Sequence, residues 1–441
     1  MRRSLVTIGA ILATAPVHAE PSAPAQPTVL RVSAASLFRI ADTAIARGND
    51  MLARRTYRAL MSDPSVDIQL EARFRLALLE SRNGKLETAA LLLREVVDRR
   101  PNAARPRLEL AGVLDRLGNK DGAWRQVRAI QASGLPPAVA RLVDRYSEAL
   151  RAARPFGASF EFGFAPDSNI NRATRSSTLG TVFGDFDIDK DSKAKSGTGV
   201  ELRGQTYRRF GLGGRDASLL VRLSSSADLY KESAFNDIGV DLAAGPELMI
   251  GRNRVNVEAG VTQRWFGQKR FMRSARLGAT VARPVGRRMQ VRLSGSAALI
   301  DNQLNDLQDG KFYSGEVSVE RALSATTGVA FTASATRQAL RDPGYSTTGW
   351  RLGLLGWHDL GRMTFTAGAE FGRLHADDRL SLFPDKRADR YSRLSVGVTF
   401  RRLSFQGFAP VTRFVIERNK SSIAFYDYSR RRTEFGFVRA F

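Results

Sequence analysis

The stretch from Met289 to Leu299, MQVRLSGSAAL, decides how the chain is read. Met289, Val291, Leu293, Gly295, Ala297 and Leu299 share one parity, while Gln290, Arg292, Ser294 and Ser296 share the other. That period belongs to a β-strand with one greasy and one wet face. It returns at 393–400 (RLSVGVTF), with Leu394, Val396, Val398 and Phe400 set against Arg393, Ser395, Gly397 and Thr399. Working outward from these two segments, the pattern predicts fourteen strands: 157–166, 196–210, 215–230, 236–250, 253–267, 271–284, 287–301, 311–324, 327–340, 347–359, 362–376, 388–403, 409–421 and 430–441. Alternation sustained that long suits a sheet with lipid on one side and water on the other. Unpaired amides in hydrocarbon cost several kcal/mol each, so such a sheet closes into a barrel.

The connections give an independent reading. Odd ones include long polar segments, Asp167 to Lys195, Asn302 to Gly310 and Asp377 to Arg387. Even ones are brief and rich in glycine: Gly211 to Gly214, Gly251-Arg252 and Leu360-Gly361. Short turns on one side and long loops on the other are what an outer-membrane barrel requires. An even strand count returns the C-terminus to the side where the barrel began, which places whatever precedes residue 157 in the periplasm.

Composition agrees. Of 441 residues 43% are hydrophobic and the mean hydropathy is -0.25. After Leu12 no run approaches the roughly 20 apolar residues of a spanning helix, so membrane residence has to come from strands. The chain has no cysteine, which removes disulfides, thiol catalysis and thiolate metal sites. Arg2 and Arg3, the apolar run Leu5 to Ala15 and Val17-His18-Ala19 read as a signal peptide over 1–19, followed by a Pro/Ala-rich linker over 20–35. The net charge of +24 comes from arginines spread through the strands, often at polar positions such as Arg222, Arg276, Arg292 and Arg351. A positive lumen, or arginines gripping outer-membrane lipids and lipopolysaccharide at strand ends, accounts for that charge. No nucleic-acid recognition motif accompanies it, so no nucleic-acid partner is expected.

Residues 36–153 have helical spacing, rich in Ala, Leu and Arg. Ala77 and Ala111, Gly84 and Gly118, and Ala89 and Ala123 recur at an offset of 34 residues, the period of tetratricopeptide repeats. Small alanines let paired helices approach, and Gly84 and Gly118 end a helix in a left-handed cap. Pro136-Pro137 opens a final helix to about Ala153. A stack of such hairpins leaves a groove suited to a peptide or partner protein. The predicted fold class is therefore α plus membrane β: tetratricopeptide-like repeats followed by a 14-stranded antiparallel transmembrane β-barrel over 157–441.

The last strand carries Phe435, Gly436, Phe437 and a terminal Phe441. It resembles the signal by which the barrel-assembly machinery recognises its substrates, although Arg439 stands where an apolar residue is usual. The first strand exits through Pro166-Asp167-Ser168-Asn169-Ile170-Asn171. This segment resembles the opening signature of the surface lipoprotein assembly modifier (Slam) family, whose members join a periplasmic tetratricopeptide domain to a fourteen-stranded barrel. The resemblance implies transport of a cargo lipoprotein or a soluble secreted protein across the outer membrane. Taken by themselves, Asp167, Ser168, Asn169 and Asn171 are short polar residues that cap tight turns.

Enzymatic chemistry has little to stand on. After signal removal only His358 and His375 remain, neither with a convincing catalytic partner in sequence, so no catalytic residue is assigned. No cofactor motif is present. The acidic run Asp185, Asp187, Asp189 and Asp191 lacks the glycine and distal glutamate of a calcium loop, and no metal site is assigned. Two other transport readings stay open: export of an anionic exopolysaccharide, which +24 suits, and a general diffusion porin.

Overall fold

The computed structural model describes residues 32–132, 156–189, 192–213, 216–403 and 408–439. The expected signal peptide, most of the linker, the helix expected after Pro136 and the terminal Phe441 lie outside them.

Six helices come first: α1 (Ala34–Ala46), α2 (Asp50–Leu60), α3 (Val66–Arg82), α4 (Leu86–Arg99), α5 (Ala104–Arg116) and α6 (Lys120–Ala132). The first begins two residues before the expected boundary, because Ser33 accepts a hydrogen bond from the Ser36 amide at 3.2 Å and caps it. Asn49 caps α2 in the same way through Leu52. Gly84 and Gly118 follow α3 and α5 with φ of +76° and +82°, a backbone state that residues with a Cβ rarely adopt. Each helix packs on the next. Ala77, Ala89 and Ala111 are completely buried and Ala123 nearly so, around Leu93, Leu110, Leu114 and Ile130. A larger side chain at any of these alanines would drive neighbouring helices apart.

The strands are β1 (Phe156–Asp167), β2 (Thr178–Thr181), β3 (Gly184–Asp187), β4 (Gly197–Gly211), β5 (Ala217–Tyr230), β6 (Asp237–Ile250), β7 (Asn253–Phe266), β8 (Lys269–Val285), β9 (Met289–Asn302), β10 (Gly310–Ala322), β11 (Thr327–Leu340), β12 (Thr347–Leu360), β13 (Met363–Ala376), β14 (Ala388–Phe400), β15 (Phe408–Ser421) and β16 (Tyr428–Arg439). Fourteen of them, β1 and β4 to β16, form a closed antiparallel barrel in which each pairs with its sequence neighbour and β1 meets both β4 and β16. The predicted strands and their order agree with this arrangement. The remaining two strands make a small hairpin inside the first long loop.

Side-chain parity divides as alternation predicts. Leu277, Leu293, Leu299, Leu354, Leu394 and Val396 are 49–62% exposed, an apolar belt that only lipid would cover. Short turns gather at one end of the barrel, here called the inner end, and longer loops at the other. One outer connection departs from that division. β7 and β8 are joined by Gly267 and Gln268 alone, both at positive φ (+55° and +66°), a two-residue turn whose twist matches the strands it joins.

Candidate functional site at the inner mouth of the barrel

The helices dock onto the inner end through charged groups that burial makes consequential. Arg94 of α4 donates to Asp359, at the end of β12, at 2.7 Å and pairs with Asp98 of its own helix at 3.2 Å. Arg401, just past β14, donates to Asp98 at 2.8 Å and to Asp359 at 2.7 Å. The result is a closed quartet of two guanidinium groups and two carboxylates. Burial pulls the Arg94 guanidinium down, but Asp359 and Asp98 more than offset it and hold it above its ordinary range. Burial pushes the Asp98 carboxyl up in spite of Arg94 and Arg401. Arg401 is held below its ordinary value by burial and then by Arg94. Arg107 of α5, buried and bonded to Gln126 at 2.7 Å, falls to about 10 through burial first and the charge of Arg94 second.

Further contacts seat the helices in the mouth itself. Arg362, in the turn after β12, pairs with Glu95 at 3.0 Å. Ala409 of β15 is fully buried within the helical core. Arg128 of α6 donates to Gln290 at 2.8 Å and pairs with Glu320, two residues on the lumen parity of β9 and β10. Tyr207 of β4 donates from its hydroxyl to the Gly118 carbonyl at 3.4 Å. A Cβ at Gly118 would lie 3.3 Å from the Gly157 Cα, so this glycine serves close approach as well as its turn. The last helical pair therefore occupies part of the opening.

Above that opening the lumen wall is a network of ion pairs between strands one or two apart. Arg276 binds Asp241 at 2.9 Å and Glu258 at 3.0 Å, and Arg222 pairs with the same Glu258. Arg209 meets Glu247 at 2.7 Å, and Arg432 meets Glu201 at 2.6 Å. Arg351, also on the lumen parity, stacks over Tyr391 at 4.7 Å. Between the wall and α6 lies a cavity of about 810 Å³. It is lined by Gly118, Asn119, Trp124, Arg128 and Gln131 on the helical side and by strands β1 and β4 to β9 on the other.

The segment Pro166 to Asn171 sits at the outer end, where the barrel closes. Asp167 is fully buried on the lumen parity of β1 and receives the Arg430 Nε of β16 at 2.7 Å. Its other oxygen accepts from the Asn169 amide at 2.9 Å, the local cap that a polar turn residue supplies. Asn169, with no exposed surface, donates to the Ala173 carbonyl at 2.8 Å and to the Ser429 carbonyl of β16 at 3.1 Å. Ser168 exchanges two bonds with the Arg431 backbone, and Asn171 ties Lys193 and Lys195 to the loop. Ile170 lies against Gly197 of β4. The segment is thus a clasp joining the first strand to the last.

That clasp matters because, among the described residues, the ladder it secures is interrupted beside it. β1 pairs with β4 along its full length, from Phe156↔Arg208 to Asp167↔Gly197. Among the described residues it pairs with β16 from Phe162↔Phe437 to Phe164↔Phe435 and again at Asp167↔Arg432. Phe435 and Phe437 face outward, each 49% exposed. Between them Gly436 opposes Gly163, and a Cβ on Gly436 would stand 2.5 Å from the Phe162 carbonyl oxygen. Gly436→Val is expected to lower the folded fraction by overpacking this junction, roughly 1–3 kcal/mol. Heat-modifiable gel mobility reports it, and a wild-type midpoint would refute the close-approach account.

The remaining candidates are scattered. His358 bonds Thr327 at 2.8 Å near the inner rim, while His375 lies at the outer end of β13. Asp185 and Asp187 fall on β3, whose partner strand leads to Val182, bonded to the Leu382 carbonyl of the loop after β13. The quartet Arg94, Asp98, Asp359 and Arg401 was not anticipated. Its only sequence signal is the i, i+4 spacing of Arg94 and Asp98, which ordinarily marks an exposed pair.

A family model described as surface lipoprotein assembly modifier matches residues 157–441. Curated proteins contain no match to the chain. Among solved structures, it is similar to a bacterial polysaccharide outer membrane secretin (13% identity, 64% of this chain and 98% of that one, TM-score 0.34). It is also similar to the outer membrane channel DcaP of Acinetobacter baumannii (10%, 64% and 96%, TM-score 0.39). Outer membrane phospholipase A from Escherichia coli is a third (10%, 67% and 97%, TM-score 0.33).

Proposed function

The chain belongs to the surface lipoprotein assembly modifier family, and from that premise we propose that it carries a lipoprotein, or a soluble secreted protein, across the outer membrane to the cell exterior. Its barrel is of the outer-membrane type and its role is transport. In this reading the helices hang in the periplasm and receive the cargo. The barrel wall meets outer-membrane lipids and lipopolysaccharide, and the barrel-assembly machinery inserts it. The residues carry no chemical reaction.

One observation supports the division of labour above all others: α6 reaches into the barrel, with Arg128 bonded to Gln290 and paired with Glu320 on the lumen wall. A plain diffusion porin gains nothing from helices built into its mouth. A domain that collects cargo and hands it to a lumen requires that continuity.

Surface exposure of a co-expressed lipoprotein, read by protease shaving of intact cells with and without this gene, is the test. We expect the lipoprotein to become protease-sensitive only when the chain is present. Deleting residues 29–153 is expected to leave heat-modifiable barrel in the membrane while abolishing exposure. Equal exposure without the gene, for every lipoprotein tried, would reject the proposal.

A further inference from the structure

Resting on that reading, we infer that the cavity between α6 and the arc β4 to β9 is the port through which cargo enters the lumen, and that it binds an acidic stretch of extended polypeptide. Docking contacts concentrate on the other side of the rim: β10 through Glu320 bound to Arg128, the end of β12 through Asp359, the turn after it through Arg362, Arg401 beyond β14, and Ala409 of β15. The turns β6–β7 and β8–β9 contribute Arg252, Gly286 and Arg287 to the cavity lining. Among the described residues, the cavity is thus the opening left between the docked helices and this arc.

Its chemistry is one-sided. Among the described residues, seven arginines line it with a single glutamate, Glu247. Counting Glu258 and Glu320 as well, which pair with Arg222 and Arg128, cations still outnumber carboxylates. Among the described residues Arg252, in the β6–β7 turn, and Arg254, on the lumen parity of β7, have no ion-pair partner. Guanidinium forks grip carboxylates with two parallel bonds, and a cluster of them in a low-dielectric cleft draws anions inward.

Polypeptide is favoured over a bare anion by the rest of the lining. At about 810 Å³ the cavity is far larger than a phosphate or a single carboxylate needs. Asn119, Gln205 and Asn256 offer amides that match backbone N–H and C=O groups, and Trp124, Met249 and Met289 offer apolar seats for side chains. A polymer of sugar acids would use the arginines but has no side chains for those seats.

The test uses the full chain in nanodiscs of zwitterionic lipid, with anisotropy of a labelled ten-residue Glu/Ser peptide as the readout. Tight binding is expected at low salt, weakening as salt rises, with at least a tenfold loss in the R252E/R254E double variant. Both positions lie at the rim, and heat-modifiable mobility verifies that the variant barrel is folded. Three results would overturn the assignment: no binding of the acidic peptide, equal binding of a Lys/Ser peptide, or undiminished affinity in the folded double variant. Displacement by polygalacturonate at equal or lower concentration would overturn it too, in favour of an acidic sugar polymer. Binding needs no transport, so a lipoprotein that never reaches the surface would sink the translocation reading and leave this site standing.

Discussion

Asp359→Ala is expected to release the helices from the inner mouth and to raise the ion conductance of the reconstituted protein in planar bilayers. Asp359 is the carboxylate shared by Arg94 and Arg401, at 2.7 Å from each, and it also accepts from Thr364 at 2.7 Å. Its removal leaves two guanidinium groups with Asp98 alone between them. Stripping one partner from a buried charge pair costs roughly 3–5 kcal/mol, because the remaining charge stays desolvated. That shifts the docking equilibrium by about two to four orders of magnitude. Asp359→Asn loses the charge and one of the two acceptor oxygens but keeps the other, so it should fall between wild type and the alanine variant. Since Asp359 ends a strand at the rim, barrel mobility on gels should be unchanged. Conductance identical to wild type in a folded Asp359→Ala protein would mean that the quartet does not hold the domain.

Asp167→Ala is expected to have the other large effect, on the barrel itself. The Asp167 side chain has no exposed surface, and the Arg430 guanidinium it neutralises is 6% exposed. Loss of the carboxylate strands that cation and also frees the Asn169 amide that the same side chain caps. A destabilisation of roughly 3–5 kcal/mol follows by the same reasoning, visible as a lower urea midpoint for the heat-modifiable form. Removing both charges tests the mechanism. Asp167→Leu with Arg430→Met should recover much of the loss, since an apolar pair carries no desolvation penalty. A double variant as unstable as the single one would point to the turn geometry, not the ion pair, as the source of the effect.

The barrel was legible because every strand repeats the same statement. At Met289 to Leu299 and again at Arg393 to Phe400, one parity is apolar and the other polar, and each segment is long enough for the period to stand out. The lumen arginines Arg222, Arg276 and Arg351 were readable for the same reason. β2 and β3 were not. Four residues each, Thr178–Thr181 and Gly184–Asp187, are too short to display a period, and they pair with each other instead of joining the barrel.

The seating of the helices was illegible for a different reason. Arg94, Asp98, Asp359 and Arg401 gather from distant segments, the bond from Arg401 to Asp98 alone spanning 303 residues, and nothing local distinguishes them from solvated surface charges. The segment Pro166 to Asn171 fell between. Its turn-capping was predictable from residue type, whereas its grip on Arg430, Arg431 and Ser429 depends on strands that only closure brings together.

The ion pair between Asp167 and Arg430 spans 263 residues of chain. Bringing such distant points together carries a loop-closure entropy on the order of 5 kcal/mol, (3/2)RT ln n. Closing the cylinder at this edge therefore carries the largest entropic cost of any strand pairing in it. A chaperone that tethers those two edges during insertion removes the entropic barrier without forming a single new bond in the finished wall.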